Sequence, residues 1–279
     1  MSPGFVRPLF CWRATKQDGL ACILGDVRVP EGELLPLAEE VQEAFEKATV
    51  LIASSPVGAD LGRDLEEMPP ALCPEGERAL DRLSPKTHKE LEAFCQRTGF
   101  QIEPDCRLKP LFLADRVAHH ALDVRNTAVR LGLTEHLFDE AKKAGKQVIG
   151  LEGTDGFEVL AAMDENSQDH LLRVCLRTID DMVDDAGQAL EAWRSGDRAA
   201  MERLAARHLE RYAKVPVLRL MDQVRAIKMA GTVAKALDEG GASFVLAGAY
   251  PLVGPEGLLE RLRQEGANFE QMAAVRQAT

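Results

Sequence analysis

Two short apolar runs, one near each end of the chain, constrain the fold more than any other feature: Leu20-Ala-Cys-Ile-Leu-Gly25 and Ser243-Phe-Val-Leu-Ala-Gly248. Each is nearly free of polar residues and closes on a glycine, the pattern of a strand covered on both faces. If both are strands, the two ends of the chain meet in one sheet, and what lies between must pack around it.

Leu9 to Thr15 forms a further apolar run, separated from the first by Lys16-Gln-Asp-Gly19, whose Asp-Gly is expected to supply the positive φ of a tight hairpin turn. From Leu35 to Ala48 apolar residues recur at helical spacing through Leu37, Val41, Ala44 and Phe45, and Thr49-Val-Leu-Ile-Ala53 follows as a buried strand. Later, Thr134 is expected to cap a helix that Gly145 stops, before a short strand from Gln147 to Leu151.

The remaining pattern is helical. Asp60 to Arg130 is punctuated by prolines, with Ser84-Pro85 as N-cap and first residue of a helix reaching Arg97. Long helices are read at Ser167–Trp193, Arg198–Tyr212, Pro216–Leu237 and Pro255–Gln264, and an apolar segment around Phe269–Val275 closes the chain. The expected fold is α/β with α+β elements: one domain over residues 1–279, a central mixed sheet built from the N- and C-terminal parts, and helical lid regions at 60–130 and 165–215. A cleft is expected between sheet and lid.

Composition narrows the function. A formal net charge of -11 is the wrong sign for a general binder of phosphate backbones, so nucleic acid is not an expected partner. No apolar run approaches the roughly 20 residues of a transmembrane helix. Met1-Ser-Pro-Gly4 lacks the parts of a secretory signal, so a cytoplasmic location is expected, or a periplasmic or exported one if a leader has been removed. Cys11, Cys22, Cys73, Cys95, Cys106 and Cys175 show no CxxC spacing and read as buried thiols, although Cys73, Cys95 and Cys106 share a stretch that an exported protein could bridge.

The candidate chemistry is unevenly spread. Asp180-Asp-Met-Val-Asp184-Asp185 places four carboxylates at helical spacing, but without a second acidic site it reads as a solvated helix face. His119 and His120, with His136, are the metal candidates, yet adjacent helical positions diverge by about 100° and chelate poorly. His88, His170 and His208 stand isolated in charged helical surface, and there is no GxSxG or Walker loop. The glycine-marked strand ends, Leu24-Gly-Asp-Val-Arg28 and Ala247-Gly-Ala-Tyr-Pro-Leu-Val-Gly254, carry more, because ligands of open α/β sheets gather beyond strand carboxyl ends. By pattern alone, tight turns are the favoured account of both.

At these ends the chain resembles the TraB/GumN (Tiki-like) family, itself related in fold to the erythromycin-esterase and ChaN-like proteins. Phe10-Cys-Trp-Arg-Ala-Thr15 with Ile23-Leu-Gly25 is similar to that family's opening hairpin, and Leu35–Leu51 to its first helix and strand. Lys146–Glu152, Trp193-Arg-Ser-Gly-Asp197 and Gly248–Leu258 resemble, in order, its mid-chain strand ending in Leu-Glu, its Trp/Gly-Asp junction and its C-terminal Gly-Ala-x-His-Leu-Val-Gly element.

The resemblance implies a metal-dependent hydrolase with two GxxH motifs, a carboxylate after the first core strand and an Arg-Asn pair. Here the motifs read Gly25-Asp26-Val27-Arg28 and Gly248-Ala249-Tyr250-Pro251, and the carboxylate position is Ser54, or Ser55 with a slip of one. Arg225 keeps the arginine while Ala226 replaces the asparagine. Proline offers no ligand atom, arginine repels a divalent cation and serine is a weak neutral ligand, so a Mn²⁺, Co²⁺ or Zn²⁺ site is not expected and no cofactor is assigned.

The expected protein is therefore a catalytically degenerate member that binds an anionic small molecule, peptide or partner protein. Its cleft would be lined by Gly25, Asp26, Arg28, Ser54, Ser55, Glu152, Arg225, Gly248 and Tyr250, with Arg28 and Arg225 as the cationic groups. The alternative is an active peptidase, hydrolase or transferase with a rebuilt site drawing on His119, His120 or His136.

Overall fold

A computed structural model describes residues 5–27, 37–53, 69–125, 133–151, 155–213 and 215–276. Six strands, β1 (Phe5–Lys16), β2 (Gly19–Asp26), β3 (Val50–Ala53), β4 (Gln147–Gly150), β5 (Gly241–Gly248) and β6 (Asn268–Arg276), form one sheet in the order β4-β3-β5-β2-β1-β6. β2, β5, β3 and β4 run parallel to one another, and β1 lies antiparallel between β2 and β6. The mixed sheet is thus built from both parts of the chain, and its parallel strands are linked by helical crossovers.

The helices are α1 (Glu39–Lys47), α2 (Pro85–Thr98), α3 (Pro110–Val124), α4 (Leu133–Lys143), α5 (Asp155–Ala161), α6 (Glu165–Ser195), α7 (Arg198–Arg211), α8 (Pro216–Asp238), α9 (Ala249–Leu252) and α10 (Leu258–Gln264). Among the described residues none is long and apolar enough to cross a membrane. Because strand side chains alternate in direction, β1 sends Phe10, Trp12 and Ala14 to one face and Cys11 to the other. The first face packs on the last turns of α6 and on α7, α8 and α10 through Ala192, Met201, Val233 and Leu262; the second packs on α1 and α4 through Phe45 and Leu137.

A separate core, holding no strand residue, joins α2, α3 and the first half of α6 around Leu91, Phe94, Leu113, Val117, Leu172 and Ile179. The 31 residues of α6 span about 46 Å at the usual rise, enough to serve both cores. Its start is capped by Asp164, whose carboxylate accepts from the Ser167 N–H at 3.0 Å, and Gly196 at φ 66° ends it. Ser84 caps α2, as its sequence position predicts, and is itself held by the Asp169 carboxylate at 2.9 Å.

Two local expectations are corrected. The hairpin turn puts its positive φ, 51°, on Gln17, not on the glycine, since Lys16 and Gly19 are already paired across the ladder. Gly19 is needed for space: a Cβ there would stand 2.0 Å from the Leu237 carbonyl oxygen at the end of α8. Thr134 lies inside α4 and does not cap it; its hydroxyl donates to Asp26 at 2.9 Å.

Candidate functional site

The four parallel strands end at one edge of the sheet, with Gly150 opposite Ala53, Ala53 opposite Leu246, and Asp26 opposite Gly248. That edge is where an open α/β sheet gathers ligands. Of the sequence-derived positions, Arg28, Ser54, Ser55 and Glu152 lie outside the described residues. Gly25, Asp26, Arg225, Gly248 and Tyr250 lie within them.

Gly25 is explained by packing. A Cβ would meet Phe10 Cδ1 at 2.4 Å, and the Gly25 carbonyl accepts a 2.6 Å hydrogen bond from the Trp193 indole. The Trp of the helical junction therefore ties α6 to the end of β2. Gly248 precedes α9, where a Cβ would touch Pro251 Cδ at 3.3 Å, so proline and glycine shape one tight exit from β5.

That exit sets Tyr250 against the helices. Its ring lies 5.5 Å from the His208 ring of α7, which also stands 5.2 Å from Tyr212. Desolvation is the main cause that lowers the affinity of His208 for a proton, opposed by the charge of Asp222 on α8. Desolvation likewise raises the Asp222 carboxyl, opposed first by Arg225, which pairs with it at 3.6 Å, and then by His208. Tyr250, His208, Asp222 and Arg225 thus form a chain from the end of β5 to α8.

Beside this chain lies an ion-pair triad. Asp185 is 5% exposed and takes Arg207 at 2.9 Å and Arg211 at 2.8 Å. Burial, then the negative charge of Asp185, raises the Tyr250 phenol above its ordinary range, while burial pushes Tyr212 up to about 12. On α6, Asp185 falls between Val183 of the helical core and Ala189 of the sheet core. The polar cluster therefore marks the seam between two hydrophobic cores, a preferred place for ligand sites.

Asp185 and His208 correct the sequence reading. Asp180 does behave as a surface residue, paired with Arg97 at 3.0 Å, but Asp185 is buried and His208 is half-buried against Tyr212 and Tyr250. Two signals were available. Asp185, Ala189 and Ala192 share one helical stripe, and Arg203, Arg207 and Arg211 at i, i+4, i+8 would repel one another unless a carboxylate arrives from elsewhere.

The other histidines do not assemble. His119 Nδ1 stands 2.9 Å from the Asp115 carbonyl on an exposed face, whereas His120 turns to the Thr98 carbonyl at 3.2 Å and packs on Phe100. His136 is exposed on α4. Among the described residues no three His, Cys, Asp or Glu side chains are grouped to hold a metal ion, and all six cysteines are free thiols. A groove of about 530 Å³ lined by Arg198, Glu202, Gly254, Pro255, Glu260 and Gln264 contains none of the sequence-derived positions, and its Arg198 and Glu202 are already paired at 2.8 Å.

The sequence profile of the TraB/PrgY/gumN family matches residues 10–271. No curated protein and no solved structure matches the chain.

Proposed function

Since the chain belongs to the TraB/PrgY/gumN family, we propose that it keeps the framework of its relatives without their metal chemistry and binds an anionic small molecule, peptide or partner protein. The ligand site lies beyond the ends of β2 and β5, facing the α7–α8 seam. The observation that carries this reading is the gathering of three guanidinium groups at the seam, Arg207, Arg211 and Arg225, beside Asp185 and Asp222, in a chain of net charge -11.

The described strand ends offer few donors for a divalent ion, which supports the reading. Pro251 has no donor atom, and one oxygen of the Asp26 carboxylate, Oδ2, accepts from the Thr134 hydroxyl. A guanidinium, by contrast, pairs bidentately with a carboxylate or phosphate, and Arg225 is 41% exposed at its side chain.

Thermal shift with inorganic phosphate, citrate and a peptide bearing a free C-terminal carboxylate tests the proposal. At least one should raise the Tm of the wild type in a salt-sensitive way, with the rise reduced in Arg225→Ala and in Arg28→Ala. No shift with any of them, or equal shifts in both variants, overturns it.

A second reading, a hydrolase with a rebuilt site, is favoured by one observation: half-buried His208 packs near Tyr250 at 5.5 Å and feels the charge of Asp222, surroundings that suit a general base. Turnover of an ester or peptide substrate that is lost in His208→Gln would select this reading.

A further inference from the structure

Three sulfur atoms meet in the core between the sheet and α1, on the face opposite the arginine seam. Cys11 Sγ of β1 lies 3.3 Å from Cys22 Sγ of β2 and 3.6 Å from Met272 Sδ of β6, and Cys22 Sγ lies 3.7 Å from Met272 Sδ. Cys11 is fully buried, and Cys22 and Met272 are 5% and 7% exposed. Their surroundings are hydrocarbon, including Leu24, Val41, Phe45 and Phe244.

A break in the ladder sets up this meeting. Pro8 pairs with Ala273 and Trp12 with Gln271, so Leu9, Phe10 and Cys11 stand opposite Met272 alone. Such bulges re-aim side chains at sheet edges. The Gln271 amide secures this one by donating to the Leu9 carbonyl at 2.9 Å and to the Gly196 carbonyl at 2.7 Å.

We propose that Cys11, Cys22 and Met272 form a binding site for Cu(I), held by three sulfurs in a near-trigonal plane. The three distances define an almost equilateral triangle with its centre about 2 Å from each sulfur. A first-row metal–thiolate bond is about 2.3 Å, so each sulfur need retreat by only a few tenths of an ångström. Thiolate and thioether ligands select Cu(I) over harder ions. Structural zinc takes four ligands in a tetrahedron, and this triangle supplies three.

Both thiols release their protons to solvent and donate their sulfur lone pairs to Cu⁺ as thiolates, while the thioether coordinates as a neutral donor, so the site carries one net negative charge. The hydrogen bond to Cys22, followed by burial, holds the Cys11 thiol well above the ordinary range, so this sulfur is no ready nucleophile until a cation compensates it. β6, which carries Met272, is an edge strand. The site shares no residue with the proposed anion site and stands or falls independently of it.

The test is anaerobic titration of the reduced full-length chain with Cu(I) against a chromogenic Cu(I) chelator, followed by X-ray absorption at the copper edge. The expected result is one copper retained with three sulfur neighbours at about 2.3 Å. Cys11→Ser combined with Cys22→Ser should abolish retention, and Cys95→Ser, outside the cluster, should leave it intact. Met272→Leu nearly preserves core volume and tests the site in a folded protein; it should weaken retention by no less than the roughly tenfold that loss of a supporting group costs a metal site. The proposal is overturned by loss of all copper to the chelator, by equal retention in the double cysteine variant or in Met272→Leu, or by nitrogen and oxygen neighbours replacing sulfur.

Discussion

The helices over one face of the sheet gather charge where they leave it, whereas the opposite face, under α1 and α4, gathers sulfur. Asp185, Arg207, Arg211, Asp222 and Arg225 lie at the seam of two cores, where α6 passes from one to the other and water remains within reach of Arg207 and Arg225. Cys11, Cys22 and Met272 lie within a single dry core. The difference follows from solvation: a buried charge must be paired and hydrogen-bonded, and pairing is easiest where several helices meet near solvent. Thiols and thioethers need no such compensation, so the interior of a sheet face accepts them without a polar network.

Removing a charge should therefore cost much more than trimming a neutral group. The largest effect is expected for Asp185→Ala, which leaves Arg211, 10% exposed at its side chain, without its carboxylate. A loss of about 3–5 kcal/mol in denaturant unfolding is predicted. A loss under about 1 kcal/mol would mean that the triad behaves as an ordinary surface pair.

Gly25→Ala comes next. Its Cβ would enter the Phe10 ring, so about 1–3 kcal/mol of stability should be lost. The anion-induced thermal shift should persist, because this glycine serves packing; if binding were lost while stability held, the strand end would be a ligand contact after all.

The smallest effect concerns pH. His208 is depressed in the fold, so its contribution is present above its ordinary value of about 6.5 and is lost as pH falls toward the lower folded value. Asp222 is raised, so its contribution is present below its ordinary value of about 3.9 and is lost as pH rises through the folded value. His208→Phe should flatten the decline in Tm just below pH 6.5 and leave the Asp222 limb in place. An unchanged profile would show that His208 titrates freely.

The fold was legible because its signals are local. Alternation and apolar runs marked β2, β3 and β5, helical spacing marked α1 and α6, and Ser84-Pro85 marked the start of α2. Errors arose where a residue answers to a distant partner. The turn glycine, Gly19, is required by the Leu237 carbonyl, and the supposed cap, Thr134, serves Asp26. Neither partner lies within 100 residues in the chain, so no local rule could name it.

The cluster proposed as the site was legible only in part. Tyr250 and Arg225 were named from the strand ends and the family pattern, but His208, the residue that connects them, was read as isolated surface, and Asp185 as one of four solvated carboxylates. What the sequence determined by itself was the sheet framework and family membership, since periodicity, capping and motif order are carried by neighbouring residues. Tertiary structure alone decided which of several similar aspartates and histidines is buried, and which two cysteines of six meet a methionine. Burial and pairing depend on what arrives from far along the chain, and three sulfurs separated by up to 261 residues become neighbours only when the first and last strands pair.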